Sequence, residues 1–125
     1  MIRILIASPD KDSLLQFSTG LGKEDVEITW VKGHGEITAM IKKIEFHLLV
    51  VDELLSDIKG LESIGKVVME NPFLNTAAIS SLSPEDFHEA SEGLGVLMQI
   101  PVDPGPEDGA ELMEHLNKIL KLTDR

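Results

Sequence analysis

The chain has 125 residues and a mass of 13.7 kDa, which is the size of one domain. Its formal net charge of −11 disfavours nucleic acid and anionic membranes as partners, because both are negatively charged. The absence of cysteine excludes disulfides, thiolate zinc sites and a cysteine nucleophile. No apolar run reaches about 18 residues and no signal peptide is recognisable, so we expect a single cytoplasmic domain over residues 1–125.

Five short apolar runs are predicted to be β-strands. Residues 2–7 form a nearly continuous apolar run, which is typical of a strand buried on both faces of a parallel sheet. Residues 26–31 alternate between apolar and polar side chains, which indicates a less buried strand. Residues 48–51 are wholly apolar and are therefore predicted to be central. Residues 76–81 and 96–100 complete the set.

A helical pattern follows each strand. Ser8 and Pro9 are predicted to open the first helix, and Ser83 with Pro84 the fourth, because a hydroxyl cap followed by proline suits a helix start. Residues 33–35 and 104–106 are predicted to be a turn and a loop. The alternation predicts a doubly wound, three-layer α/β sandwich with a five-stranded parallel sheet and five helices. The last helix carries a broad apolar stripe of Leu112, Met113, Leu116, Ile119 and Leu120.

In this architecture, functional groups lie beyond the carboxyl ends of the strands. Asp52 follows the most apolar strand, where a carboxylate can be a nucleophile or a cation ligand, or can simply cap its loop. The other residues predicted at this edge are Ser8, Pro9, Asp10, Gly33, His34, Glu53, Leu54, Ser80, Ser81, Ile100 and Pro101.

Residues 47–52 read His-Leu-Leu-Val-Val-Asp, and Gly-Leu-Glu follows at 60–62. This pattern resembles the centre of a response-regulator receiver domain, with an apolar strand, a phospho-accepting aspartate, a short loop and a glycine. Gly93, the strand at 96–100 and Pro101 extend the similarity, and the order of elements fits over essentially the whole chain. The resemblance implies a flavodoxin-like, receiver-type domain of phosphorelay signalling that is not an enzyme. It also implies protein partners, namely a histidine kinase or an output domain or protein.

The resemblance assigns roles by position. Asp52 falls on the phospho-acceptor, and either Ser80 or Ser81 falls on the switch hydroxyl. The cation ligands implied are the Asp52 carboxylate and the backbone carbonyl of Leu54. Asp10 is the carboxylate nearest to the position of the family's acidic pair, and it is the third ligand expected. Pro101 falls on a proline that usually follows a cis peptide bond in this family.

Three positions depart from the family pattern. Ser8 and Pro9 replace the acidic pair that binds the cation, and Ile100 replaces the lysine that pairs with the phosphoryl group. Phosphoryl transfer depends on neutralising negative charge with a metal ion and a cationic side chain. We therefore expect weakened Mg²⁺ binding, even if Glu53 assists, and an atypical receiver that is weakly phosphorylated or acts without phosphorylation.

Two other hypotheses follow from the sequence. One is a small-ligand-binding, nucleotide-binding or enzymatic domain of the same architecture, although the loop at 8–12 is acidic rather than a phosphate-binding loop. The other is a homodimer formed through the stripe of the last helix, against the simpler interpretation that the stripe packs in the core. The four histidines lie on different segments and are not predicted to form a metal site.

Overall fold

The computed structural model describes residues 1–22 and 24–123, and it contains the five predicted strands and five helices. The strands are β1 (Ile2–Ala7), β2 (Val26–Val31), β3 (Leu48–Val51), β4 (Asn75–Ile79) and β5 (Val96–Ile100). A 3₁₀ turn at Lys11–Leu14 leads into the first of the helices, which are α1 (Leu15–Gly20), α2 (His34–Lys43), α3 (Gly60–Glu70), α4 (Pro84–Ala90) and α5 (Pro106–Thr123).

The strands form one parallel sheet in the order β2-β1-β3-β4-β5. β3 is therefore central, as its wholly apolar sequence predicted, and all four of its residues are fully buried. The prediction of a doubly wound parallel α/β fold is confirmed. Among the described residues, no helix combines the length and apolar character needed to cross a membrane.

Each face of the sheet has its own apolar core because successive strand residues point to opposite faces. One core joins alternate residues of β1 and β3 to α1 and α5, through Ile4, Ile6, Leu48, Val50, Phe17, Leu112 and Leu116. The other joins the intervening residues to α2, α3 and α4, through Leu5, Ala7, Leu49, Val51, Ile37, Ile64, Val67 and Phe87. The stripe of α5 thus belongs largely to the first core, in which Leu112, Met113 and Leu116 are buried.

Helices α1 and α5 approach each other closely at two glycines. A side chain at Gly20 would overlap the carbonyl of Pro106, and one at Gly109 would overlap the carbonyl oxygen of Phe17. Only glycine permits this separation, so the pair fixes the position of α5 against the sheet.

Four local predictions were wrong. Ser8 and Pro9 do not open a helix: the helical turn begins at Lys11, because the Ser8 hydroxyl is hydrogen-bonded elsewhere. The predicted turn at 33–35 is already helical from His34, since Asp57 of a distant loop accepts the N–H groups of His34 and Gly35.

The fourth strand ends at Ile79 rather than at residue 81, so Ser80 and Ser81 lie in the loop that follows. Pro106, predicted in a loop, is the first residue of α5, a position that suits proline because it needs no N–H partner there.

Candidate functional site

Asp52 lies directly beside the end of β1 because β1 and β3 are paired along their length. The register joins Ala7 to Val51, and the Asp52 N–H donates to the Ala7 carbonyl at 2.9 Å. Ser8, the residue that follows β1, therefore lies next to the Asp52 side chain. The hydroxyl of Ser8 donates to Asp52 Oδ2 at 2.6 Å.

Both oxygens of the Asp52 carboxylate have a donor. Oδ2 accepts the Ser8 hydroxyl, and Oδ1 accepts the backbone N–H of Glu53 at 2.8 Å. Ser8 is only 3% exposed, and its oxygen also accepts the N–H of Asp10 at 3.0 Å. The carboxylate is thus fixed by neutral donors. One of them, Ser8, stands at a position where the resemblance implies an acidic residue.

Pro9 and Asp10, the two residues after Ser8, are exposed. Pro9 offers no side-chain oxygen, and Asp10 contributes its backbone N–H to the Ser8 hydroxyl. At the far side of the site, Ile100 is fully buried in the core shared with α1 and α5. The position implied for a lysine therefore carries an aliphatic side chain that packs in the core.

Pro101 is exposed at the same edge, and no peptide bond within the described residues is cis. The cis bond that the resemblance implied before Pro101 is therefore not formed. Leu54 is 61% exposed and forms an isolated bridge with Lys59, which makes the β3–α3 loop a small hairpin.

Glu53 forms the most extensive polar contact of the site. Its Oε2 accepts the N–H of Ser81 at 2.6 Å, and the Ser81 hydroxyl lies 3.0 Å from Oε1 and 2.8 Å from Oε2. These donors, above all the Ser81 backbone N–H, hold the pKa of Glu53 below its ordinary value. Glu53 therefore joins the loop after β3 to the loop after β4 as an ionised group.

Gln99 braces the same loop from β5. Its Nε2 donates to the carbonyl of Leu82 at 2.7 Å and to that of Ser80 at 3.3 Å. The sequence did not identify this role, because a polar residue in a half-buried strand is most simply a solvated one. Ser83 then caps α4 as predicted, by accepting the N–H of Asp86 at 3.1 Å.

His34 lies at the start of α2, and its Nδ1 is 2.7 Å from the hydroxyl of the fully buried Ser63. Asp57 accepts the N–H of His34 at 2.8 Å and that of Gly35 at 3.1 Å, and these donors lower its pKa. The pair ties α2 to the β3–α3 loop and to α3. This arrangement accounts for His34 and Gly33 structurally, since a side chain at Gly33 would overlap Ser56.

The donor set around Asp52 does not fit a Mg²⁺ ion. Mg²⁺ requires a near-octahedral set of oxygen ligands, usually including carboxylates. The described residues contain no group of three or more Asp, Glu or His side chains that could hold a metal. One Asp52 oxygen is already bonded to Ser8, and Glu53 is turned to Ser81.

Two clefts flank Asp52 without including it. One, of about 340 Å³, extends from Ser8 to Trp30, whose ring centroid is 5.1 Å from the Lys11 ammonium nitrogen. The other, of about 320 Å³, lies between Leu54 and Leu82 with Glu53 at its wall. Neither cleft places a ligand over Asp52, which is where the nucleotide-binding hypothesis requires one.

Comparison with known proteins gives a consistent structural answer. No protein-family model and no curated protein matches the chain. A response regulator receiver domain protein from Methanospirillum hungatei has a TM-score of 0.81 and 25% identity, over 97% of this chain and 98% of that chain.

Two further solved structures are similar in fold. The chemotaxis response regulator CheY4 of Vibrio cholerae has a TM-score of 0.81 at 15% identity, over 93% of this chain and 98% of its own. A two-component response regulator from Clostridium difficile has a TM-score of 0.80 at 17% identity, over 95% and 98%. The shared element order covers nearly all of both chains in each comparison.

Proposed function

We propose that this chain, which has the fold of response-regulator receiver domains, is a signalling module that acts through protein partners and is phosphorylated at Asp52 weakly or not at all. The observation that carries the proposal is the hydrogen bond from the Ser8 hydroxyl to Asp52 Oδ2. A neutral donor there stabilises the free carboxylate, whereas a cation-binding acidic pair would prepare it for phosphoryl transfer.

The missing charges set the size of the expected defect. Each lost charge-assisted contact costs about 1.5–3 kcal/mol. Two such losses, one for the cation ligands and one for the lysine replaced by Ile100, lower a rate by roughly 10²–10⁴-fold. Ile100 supports this estimate, because its aliphatic side chain is fully buried and brings no positive charge to the carboxylate.

The test is incubation with acetyl phosphate and Mg²⁺ followed by intact mass measurement. We expect little or no phosphorylated protein. Asp52→Asn defines the background, and Asp12→Asn, which removes an exposed carboxylate from the neighbouring turn, is the matched control. Ready phosphate uptake that Asp52→Asn abolishes and Asp12→Asn leaves unchanged would refute the proposal.

The partners proposed are a histidine kinase or an output domain or protein. The burial of Leu112, Met113 and Leu116 in the core leaves little of the α5 stripe for a second copy. A homodimer through this stripe therefore loses its main support. Sedimentation should show a monomer at concentrations where such a dimer would form.

A further inference from the structure

The loop between β4 and α4, residues 80–83, is fixed from two sides. From the loop after β3, the Glu53 carboxylate accepts the Ser81 N–H at 2.6 Å and is within hydrogen-bonding distance of the Ser81 hydroxyl through both oxygens. From β5, Gln99 donates to the Ser80 and Leu82 carbonyls. The loop is therefore held by one side chain that follows β3 and one that belongs to β5, the two strands on either side of β4.

Three consecutive backbone N–H groups of the loop, those of residues 80–82, are also engaged. The Ser80 N–H donates to the carbonyl of Ile100 at 3.0 Å, and the Leu82 N–H donates to the Ser80 hydroxyl at 3.1 Å. With the Ser81 N–H bonded to Glu53, three consecutive donors have partners. Of these bonds, the one to the Glu53 carboxylate is the shortest, at 2.6 Å, and hydrogen bonds to carboxylates are stronger than those between neutral groups.

One of the two candidates for the switch hydroxyl, Ser81, is bonded to Glu53. Its hydroxyl lies within hydrogen-bonding distance of both carboxylate oxygens, whereas the Ser80 hydroxyl accepts the N–H of Leu82. Asp52 instead takes its hydrogen bonds from Ser8 and from the Glu53 N–H. The carboxylate that Ser81 contacts thus belongs to the residue after the phospho-acceptor position.

We propose that the Glu53 carboxylate, through its hydrogen bonds to the Ser81 N–H and hydroxyl, holds the β4–α4 loop in one conformation whether or not Asp52 carries a phosphoryl group. The inference rests on the proposed function, because it explains how the loop and α4 keep a defined surface for a partner without phosphorylation. Glu53 is a positioning residue that acts through Ser81. Loss of its carboxylate frees two donors of the loop at once.

The experiment is amide hydrogen exchange measured by NMR on the whole chain. Glu53→Ala should lower the protection of the Ser81 amide by about tenfold or more, because its hydrogen bond to the carboxylate is lost. The Leu82 amide, which donates to the Ser80 hydroxyl, should lose protection with it as the loop is released. Glu53→Gln, which retains an acceptor oxygen without the charge, should give an intermediate loss. Glu85→Ala, which removes an exposed acid from the first turn of α4, should leave both amides unchanged.

Protection of the Val50 amide in the central strand reports whether each variant is folded, so a loss confined to the loop is distinguishable from unfolding. Unchanged Ser81 protection in Glu53→Ala would overturn the inference. The same spectra recorded with Asp52→Asn and with acetyl phosphate and Mg²⁺ separate the two proposals. Phosphate uptake that leaves the Ser81 and Leu82 signals in place contradicts weak phosphorylation and supports the Glu53 role, whereas uptake that moves them overturns both.

Discussion

Restoring the acidic pair with Ser8→Asp and Pro9→Asp should make the chain unstable without a divalent cation and stabilised by one. The Ser8 oxygen lies 2.6 Å from Asp52 Oδ2, so a carboxylate at residue 8 would face Asp52 at short range. Two like charges about 4 Å apart repel by about 4 kcal/mol at an effective dielectric constant near 20. The substitution also removes the hydroxyl donor, so the double variant should lose several kcal/mol in free energy of unfolding, on the order of that repulsion.

A cation that bridges the restored carboxylates recovers part of this loss. At a Mg²⁺ concentration of about ten times Kd, the gain is about 1.4 kcal/mol, which corresponds to roughly 4–7 °C in Tm for a domain of this size. Thermal unfolding is followed by the fluorescence of Trp30, the only tryptophan, in MgCl₂ and in EDTA. The wild-type chain should show the same Tm in both.

Two controls keep this experiment decisive. Pro9→Asp alone changes an exposed residue and leaves the Ser8 hydroxyl in place, so it should fold normally and respond weakly to Mg²⁺. Adding Asp52→Asn to the double variant should relieve the repulsion and abolish the Mg²⁺ response. Stabilisation of the wild-type chain by Mg²⁺ to the same extent as the double variant would show that the present residues already form a cation site, contrary to the expectation.

Three further predictions concern stability. Asp57 has a lowered pKa, so its contribution to the free energy of unfolding is present above the unfolded-state pKa of about 3.9 and is lost as the pH falls through the lower folded-state pKa. The urea midpoints of Asp57→Asn should therefore depend less on acidic pH than those of the wild type. An equal dependence would contradict the capping role of Asp57. Gly109→Ala should destabilise the chain by about 1–3 kcal/mol, because crowding against Phe17 outweighs the helix preference for alanine. Gly65→Ala, in α3, places a methyl group that meets only Leu94 at 3.8 Å and should stabilise the chain by about 0.5–1 kcal/mol. Urea unfolding measures the sign of the change in both glycine variants. A stabilising Gly109→Ala would show that α1 and α5 can separate without cost.

The strands were predictable because burial on both faces leaves a direct trace in the sequence. Residues 48–51 have no polar side chain, and this alone indicated the centre of the sheet, where the structure places them. The same logic predicted Asp52 at the carboxyl edge, since a charged residue that follows a buried strand must lie at its end.

The start of the first helix was not predictable, because a local pattern competed with a contact distant in sequence. Ser8 and Pro9 have the composition of a helix start, yet Ser8 bonds Asp52, 44 residues away. The cap of α2 was missed for a similar reason, as its carboxylate comes from Asp57 in another loop. Local patterns report the neighbours in sequence, whereas these hydrogen bonds depend on strand order and register.

Glu53 and Ile100 illustrate the same limit at the candidate site. The sequence placed Glu53 at the edge of the sheet but gave no partner for it, since Ser81 is 28 residues away. The loss of the lysine at Ile100 was visible, but its burial in the core with α1 and α5 depends on the packing of three elements. The sequence therefore showed which residue types lie at the edge of the sheet, but not which residues contact one another there.

The two carboxylates at the edge of the sheet each have their own donors, and this separation bears on signalling. A phosphoryl group on Asp52 would displace one of the two donors bonded to its oxygens, the Ser8 hydroxyl at Oδ2 or the Glu53 N–H at Oδ1, which costs a charge-assisted hydrogen bond. To recover that cost through the loop after β4, the phosphoryl oxygens would have to attract a serine of that loop. Ser81 is already bonded through its N–H and its hydroxyl to Glu53, and the Ser80 hydroxyl accepts the N–H of Leu82. The exchange would leave Glu53 without these donors. On this arrangement we expect that even a phosphorylated Asp52 transmits little to the loop, because breaking both existing contacts offsets what the new ones contribute.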